Sequence, residues 1–238
     1  MIETYPPDSK SAPYYDLIYS FKDYSAESEE LASTIRKEHP RAQNLLDVAC
    51  GTHEHAVSLS KHFSVDGVDL SSDYIAIAKN KNPRGHYCVG DMRRFDNGRR
   101  YDVVTCLQSS IGYLKNQLEL RTALERFAMH LKPGGLLLIE PWFFPETFEP
   151  GKTGLEIGKT SELKVARASV RTLTEFGSLM QFHFVVVRSS GVEIFREDHH
   201  LSLFSRSEIE LEFKRLGLTV RHDATWSRGR GLFVGKMD

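Results

Sequence analysis

Three strand-like runs in the first half of the chain each end in a residue suited to holding a nucleoside. Gly51 follows "NLLDVA" (44–49), Asp69 falls near the end of "VDGVDL" (65–70), and Gly90–Asp91–Met92 follow "HYCV" (86–89). A glycine just past a strand lets the backbone turn tightly and approach a ligand without a Cβ. A carboxylate about 20 residues beyond such a glycine commonly accepts both hydroxyls of a ribose. Asp69 stands at that separation from Gly51. Asp91 and the amide beside it then suit an adenine edge. One glycine loop is weak evidence; G, D and GD at three successive strand ends are much stronger.

The loop itself narrows the ligand. It reads Gly51–Thr52–His53–Glu54–His55, without the G-x-G-x-x-G that brings a pyrophosphate onto a helix N-terminus. Glu54 would repel a phosphate, and no G-x-x-x-x-G-K-[ST] loop occurs elsewhere. A ligand with ribose and adenine but no phosphate fits better, which points to S-adenosylmethionine. His53 occupies the place of an expected second glycine, so it requires a negative φ or a shifted loop.

The elements that must position these residues follow from hydrophobic rhythm. Between 44 and 140, apolar runs that also include "YDVVTCL" (101–107) and "GLLLIE" (135–140) alternate with helical patterns. Leu120, Leu124, Phe127 and Leu131 share one helix face, and "KPGG" is expected to separate that helix from the next strand. Strands of this kind alternating with helices form a mostly parallel sheet covered on both faces, with ligands outside the carboxyl ends of the strands. Residues 141–154 read as an aromatic, proline-broken loop, and 155–204 as extended segments. A helix beginning near Ser205 and two last strands return to the α/β pattern. The expected fold is therefore α/β: a doubly wound, mostly parallel sheet with an inserted antiparallel β layer. Its parts are an N-terminal helical cap (1–40), a cofactor-binding domain (41–144 and 205–238) and the insertion on the acceptor side (145–204).

At this point the chain resembles the class I S-adenosylmethionine-dependent methyltransferases. Within them it is similar to the N-methyltransferases of nucleotide-linked (dTDP) amino deoxysugars, such as those making the dimethylamino sugars desosamine and mycaminose. The resemblance lies in "LLDVACGT", "GDMR", "VTCLQSSIGYL", "LERFAMHLKPGG", "EPWFFPE", "SLFSR" and "GRGLFVG", and spans nearly the whole chain. It implies a seven-stranded methyltransferase sheet, S-adenosyl-L-methionine as donor and S-adenosyl-L-homocysteine as product. It further implies a small-molecule nucleotide-sugar acceptor, a role in antibiotic biosynthesis and a homodimer. At the cofactor it places Tyr15, Tyr24, Ala49, Gly51, Thr52, His55, Asp69, Leu70, Asp91, Met92 and Leu107. It puts an upstream tyrosine, for which Tyr5 is nearest, by the acceptor amine, and Arg230 on the substrate diphosphate, a task that suits a guanidinium fork, with a lone surface arginine as the alternative. Two departures stand out: relatives usually read G-T-G-x-H where this chain has His53, and histidine where it has Tyr113.

Methyl transfer to an amine is an in-line displacement governed largely by orientation. Tyr113, on the loop after the fourth strand, is the residue placed to contact the amine. With an ordinary pKa of about 10 it is a poor base, so the expected role is orientation, with packing of the pocket wall as the alternative. Trp142, Phe143 and Phe144 follow the fifth strand and suit stacking on a base or sugar ring, or else join the insertion to the sheet. Tyr14 and Tyr19 are expected to pin the N-terminal helices in place.

Composition excludes several classes. The 238 residues are 40% hydrophobic and 26% charged with a net charge of −1, an ordinary soluble balance. There is no long Lys/Arg run to bind nucleic acid or a membrane surface, and no apolar stretch of the roughly 20 residues that span a bilayer. The N-terminus is polar and proline-bearing, unlike a secretory signal. Cys50, Cys88 and Cys106 are odd in number and widely spaced, which suggests small buried thiols in a reducing cytoplasm. No metal is expected: His53 and His55 lack a ligand framework, and His199 and His200 are adjacent on a strand and face opposite ways. Two other functions stay open, a class I O- or N-methyltransferase with a different acceptor and a binding protein that has lost catalysis. Intact Gly51, Asp69 and Asp91 weigh against the last.

Overall fold

A computed structural model describes residues 9–226 and 229–237. The chain opens with α1 (Tyr15–Ile18) and α2 (Tyr24–Glu38), the latter capped by Asp23, whose carboxylate accepts from the Ala26 amide. Then come β1 (Asn44–Val48), α3 (Glu54–Leu59), β2 (Ser64–Asp69), α4 (Ser72–Lys81) and β3 (Tyr87–Val89). Next are β4 (Tyr101–Cys106), a 3₁₀ turn (Ser110–Tyr113), α5 (Gln117–Met129) and β5 (Leu131–Ile139). Four long strands follow: β6 (Thr153–Lys159), β7 (Leu163–Thr174), β8 (Gly177–Arg188) and β9 (Gly191–Leu201). The described chain closes with α6 (Arg206–Arg215), β10 (Leu218–Asp223) and β11 (Leu232–Met237).

The main sheet has seven strands in the order β10-β11-β5-β4-β1-β2-β3. Only β11 runs against its neighbours. The inner strands are apolar on both faces because helices cover both: Leu45, Leu46, Val103, Val104 and Leu136 to Ile139 are fully buried. Leu120, Leu124 and Phe127 of α5 form the expected stripe and are likewise buried. Truncating a buried aromatic such as Phe127 to alanine costs about 3–5 kcal/mol. α6 begins with a full capping box between Ser205 and Glu208. From β1 the chain winds toward β3, and from β4 toward β5, so the crevice between the carboxyl ends of β1 and β4 is the switch point where ligands bind.

The segment 153–201 forms a separate antiparallel sheet in the order β6-β7-β8-β9. Its inner face packs Val165, Phe184 and Val186 around Tyr14 and Ile18 of the N-terminal segment. Tyr14 is thereby pinned as expected, with Arg188 over its ring.

"KPGG" does not separate α5 from the following strand. The helix ends at Met129, and β5 already starts at Leu131, which is buried and pairs with Tyr101. The Pro–Gly–Gly stretch is absorbed within β5 by a shift of register between Tyr101 and Val103.

Candidate active site

The carboxyl ends of β1, β2 and β4 and the inner face of the β6–β9 sheet enclose one cavity of about 850 Å³. That size suits a small-molecule site, roughly 300–1,000 Å³. At its floor, Asp69 is buried and accepts from the Gly51 amide at 2.8 Å and the Ser71 amide at 2.9 Å. Burial raises its pKa above the usual carboxylate range, while those amides hold the rise back. Gly51 has φ +56, which glycine adopts without strain, and nothing lies within 4 Å of where a Cβ would stand. The acid and the glycine of the sequence motif thus form one hydrogen-bonded unit facing open space.

Four other residues carry left-handed backbone at this end: Ala49 (φ 58), His53 (φ 59), Gln108 (φ 53) and Ser109 (φ 64). All four line the cavity. Such conformations cost non-glycine residues roughly 1–2 kcal/mol each and concentrate at functional sites.

Of the two ways expected to accommodate His53, a negative φ is overturned. His53 takes the left-handed conformation itself, as the residue before α3. Tertiary contacts hold it there: its ring is buried, Nδ1 meets Tyr87 Oη at 2.8 Å, and Nε2 lies 3.5 Å from Asp47 Oδ2. Burial, then the charges of His55 and Lys81, bring its pKa down to about 3, so the ring is neutral.

The N-terminal segment closes over this end. Thr52 donates to Asp16 at 2.6 Å, and His55 meets Glu27 of α2 at 3.2 Å with Tyr24 edge-on to its ring. Lys22 pairs with Glu27 at 3.2 Å and donates to Gln108 at 2.6 Å, joining α2 to the loop after β4. Burial lowers the Lys22 pKa. Tyr15 lines the cavity beside Tyr74 and Tyr19, with centroid distances of 5.6 and 4.5 Å. Tyr19 does more than pin a helix: it lines the cavity and accepts from Arg167 at 2.7 Å. Leu70 and Met92 also line the wall. Asp91 is there too, but Arg93 grips both its oxygens, at 2.6 Å for Nη2. Burial opposes ionisation of Asp91, and the Arg93 hydrogen bonds outweigh it, so its pKa is lowered. Leu107 is not brought to the cavity. Its apolar side chain is buried among Leu136 and Leu138, and its neighbours Gln108 and Ser109 line the wall instead.

At the other end, Tyr113 stands on the 3₁₀ turn after β4. A Cβ on Gly112 would meet Trp142 Cβ at 3.0 Å and Leu201 Cδ2 at 3.1 Å, so glycine lets this turn press against β9. Tyr113 Oη consequently lies 2.6 Å from His199 Nδ1, and His199 Nε2 lies 3.4 Å from Glu197 Oε2. Burial drives the Tyr113 pKa well above its ordinary value, which disfavours tyrosinate. Trp142 and Phe143 line the wall, Trp142 donating to Ser178 at 3.0 Å. Phe144 instead joins the main core. Arg171 stacks on Phe143 at 4.5 Å, and its buried Nη1 has no hydrogen-bond partner among the described residues. Arg230 lines the same cavity and pairs with buried Glu140 at 2.7 Å. Tyr5 lies outside the described residues. Among the described residues no group of three or more His, Cys, Asp or Glu side chains could hold a metal ion.

Sequence reasoning missed Lys22, Gln108, Arg171, Glu197 and, except as a metal ligand, His199. Only His199 carried a visible signal, the "DHH" of β9.

Comparison with known proteins gives the family. Residues 45–135 match the model of a methyltransferase domain. The chain is 41% identical over 228 residues to a dTDP-3-amino-3,6-dideoxy-alpha-D-glucopyranose N,N-dimethyltransferase of Streptomyces fradiae, covering 94% of this chain and 89% of that one. The crystal structure of DesVI from Streptomyces venezuelae superposes with a TM-score of 0.91 at 39% identity, covering 97% of this chain and 100% of that one. An amino pentose methyltransferase from Micromonospora echinaspora, solved with S-adenosylmethionine bound and involved in calicheamicin biosynthesis, superposes at 0.85. It is 34% identical, over 94% of this chain and 96% of its own. The chain belongs to the class I S-adenosylmethionine-dependent methyltransferases, in the family that contains these amino-sugar N-methyltransferases.

Proposed function

We propose that this enzyme transfers methyl groups from S-adenosylmethionine to the amino group of a dTDP-linked amino deoxysugar, giving the dimethylamino sugar. One observation carries the reading: a single cavity runs from the Gly51–Asp69 unit to the Arg171–Phe143–Trp142 wall. Nucleoside chemistry at one end thus meets anion and ring chemistry at the other. The similarity to a dTDP-amino-sugar N,N-dimethyltransferase supports the acceptor class.

Bound S-adenosylmethionine supplies a methyl group on a sulfonium. The buried Asp69 carboxylate suits the ribose hydroxyls, and the Gly51 loop admits close backbone approach. Tyr15, Tyr24, Thr52 and His55 complete that end, together with Ala49, Leu70, Asp91 and Met92. Asp91 reaches an adenine edge only in competition with Arg93. Arg171, with Arg230, suits a diphosphate, and Trp142 and Phe143 suit the base or sugar ring. Tyr113 orients the amine, with Tyr5 as a second tyrosine near it. On this reading residues 1–40 form the cap, 41–144 with 205–238 bind the cofactor, and 145–204 serve the acceptor.

The reading includes a homodimer in the cytoplasm, in the service of antibiotic biosynthesis. Free Cys50, Cys88 and Cys106 suit a reducing compartment, and no helix among the described residues is long and apolar enough to cross a membrane. The outer face of the second sheet supports the dimer. Ile157, Ala166, Val185 and Ile194 stand in one cross-strand row, and Ile157 and Ile194 are 67% and 73% exposed. Exposed apolar stripes of this kind mark interaction surfaces.

Calorimetric titration with S-adenosylmethionine, then with thymidine diphosphate, tests the two ends separately. Both are expected to bind, each without displacing the other. No cofactor binding at millimolar concentration would return the chain to the class of binding proteins that have lost catalysis.

A further inference from the structure

We propose that His199 accepts the proton of the substrate ammonium through Tyr113, with Glu197 holding the imidazole in place. The inference rests on the functional reading above, because it concerns an amine acceptor. Aliphatic amines have ordinary pKa values of about 8 to 10, so at neutral pH they arrive largely as ammonium without a lone pair. Each methyl transfer leaves a proton on the nitrogen again, so a second transfer to the same nitrogen needs a second removal. Tyr113 is the residue at the right place, yet burial opposes its ionisation.

The geometry supplies the missing acceptor. Glu197 is buried and accepts from Ser9 Oγ at 3.0 Å, from the Ser11 amide at 3.0 Å and from Ser11 Oγ at 2.8 Å. Burial opposes its ionisation, but the hydrogen bonds from His199, Ser11 and Ser9 outweigh that and keep its pKa below the usual range. An ionised Glu197 makes His199 Nε2 the protonated nitrogen and leaves Nδ1 as acceptor. The Tyr113 hydroxyl then donates to Nδ1, and the lone pairs on its oxygen can face the cavity.

The step balances. A substrate N–H bond breaks as an O–H bond forms on Tyr113, while the original Tyr113 O–H breaks and an N–H forms at His199 Nδ1. The positive charge moves from the amine to an imidazolium beside Glu197, and the nitrogen keeps the electron pair. That pair forms the N–C bond as the C–S bond of the sulfonium breaks. Among the described residues, Tyr15 and Tyr19 of the N-terminal segment, Asp69 of β2, Tyr74 of α4 and Glu197 also bear on Tyr113. Arg167 of β7 stacks on Phe182, which meets the His199 ring edge-on. None of these stands between Tyr113 and His199.

His199→Asn tests the relay, because the amide oxygen can still accept from Tyr113 but cannot carry the proton away. At neutral pH the variant is expected to lose about a hundredfold in kcat, in line with general-base contributions. The deficit should shrink as pH rises toward the pKa of the amine, with cofactor affinity within about twofold of native. Nitrogen-15 resonances of the cofactor-free enzyme, assigned by comparison with His199→Asn, should show the Nε2–H tautomer. If the native enzyme methylates the amino sugar and the two pH profiles superimpose, the relay is wrong and the functional reading stands. If the native enzyme methylates no amine, the functional reading itself fails. An Nδ1–H tautomer overturns the relay in either case.

Discussion

The end of the cavity proposed for the cofactor is shaped mainly by its backbone, whereas the end proposed for the acceptor is built from long side chains. Gly51 and Ser71 present amides to one carboxylate, and four non-glycine residues hold left-handed turns around it. The acceptor end has stacked Arg171 and Phe143, a Tyr113–His199–Glu197 chain and a guanidinium paired with Glu140. Backbone recognition is rigid and follows from loop length. The side-chain cluster is assembled from residues far apart in sequence, so substitutions there can change an acceptor site without touching a cofactor site.

If that division is right, single changes at the two ends should separate cofactor binding from acceptor binding. The largest effect is expected from Asp69→Ala, which removes the acceptor of the Gly51 amide and the acceptor proposed for the ribose hydroxyls. Losing a hydrogen bond to a charged group costs about 1.5–3 kcal/mol, or on the order of ten- to a hundredfold in cofactor affinity. Calorimetry reads this directly, and an unchanged Kd would remove Asp69 from the site. Arg171→Ala should raise KM for the nucleotide sugar about tenfold, roughly 1.4 kcal/mol, and leave the cofactor Kd alone. Equal losses for both ligands would erase the distinction between the ends.

His53 sharpens the comparison from the side of stability. Its ordinary pKa is 6.5 and its folded value about 3, so its contribution is complete above 6.5 and is lost as pH falls toward 3. Asp47 runs the other way. Burial first, with Asp69 adding, raises it from 3.8 to about 6, so the stability of its neutral form is lost as pH rises through that window. The histidine's displacement is the larger, and net stability should fall on acidification. His53→Gly should flatten that fall, seen as a smaller drop in Tm between about pH 7 and pH 4 than in the native enzyme. The same variant should bind cofactor within a few-fold of native. A gain of a hundredfold would mean that His53 damages the loop. The smallest effect is expected from Ile194→Glu on the outer face of the second sheet: activity is nearly unchanged, while sedimentation shows a monomer in place of the proposed dimer. A native chain that sediments as a monomer would contradict the dimer.

These outcomes bear on what the amino-acid order reveals. The parallel sheet was legible because Val, Leu and Ile runs alternate with helical periods, and the second sheet because 155–204 lacks a helical period. That Gly51, Asp69 and Asp91 border one cavity was legible because short crossovers fix their spacing. His53 misled because its left-handed turn is held by Tyr87, 34 residues away. No local rule encodes that compensation. His199 meets Tyr113 across 86 residues, through the register of an antiparallel sheet that spacing does not specify. Arg171 and Lys22 reach the cavity only through the placement of β7 and of the turn before α2 in the fold. Leu107 shows the opposite case: it neighbours the cavity in sequence, yet its apolar side chain turns into the core.

The most direct test of the central claim is mass spectrometry of products after incubating the enzyme with S-adenosylmethionine and a panel of dTDP-3-amino and dTDP-4-amino deoxysugars. The account predicts that at least one member of the panel gains two methyl groups on its nitrogen, with release of S-adenosylhomocysteine. An enzyme that binds the cofactor yet methylates none of the amino sugars, or methylates a hydroxyl group instead, would contradict it.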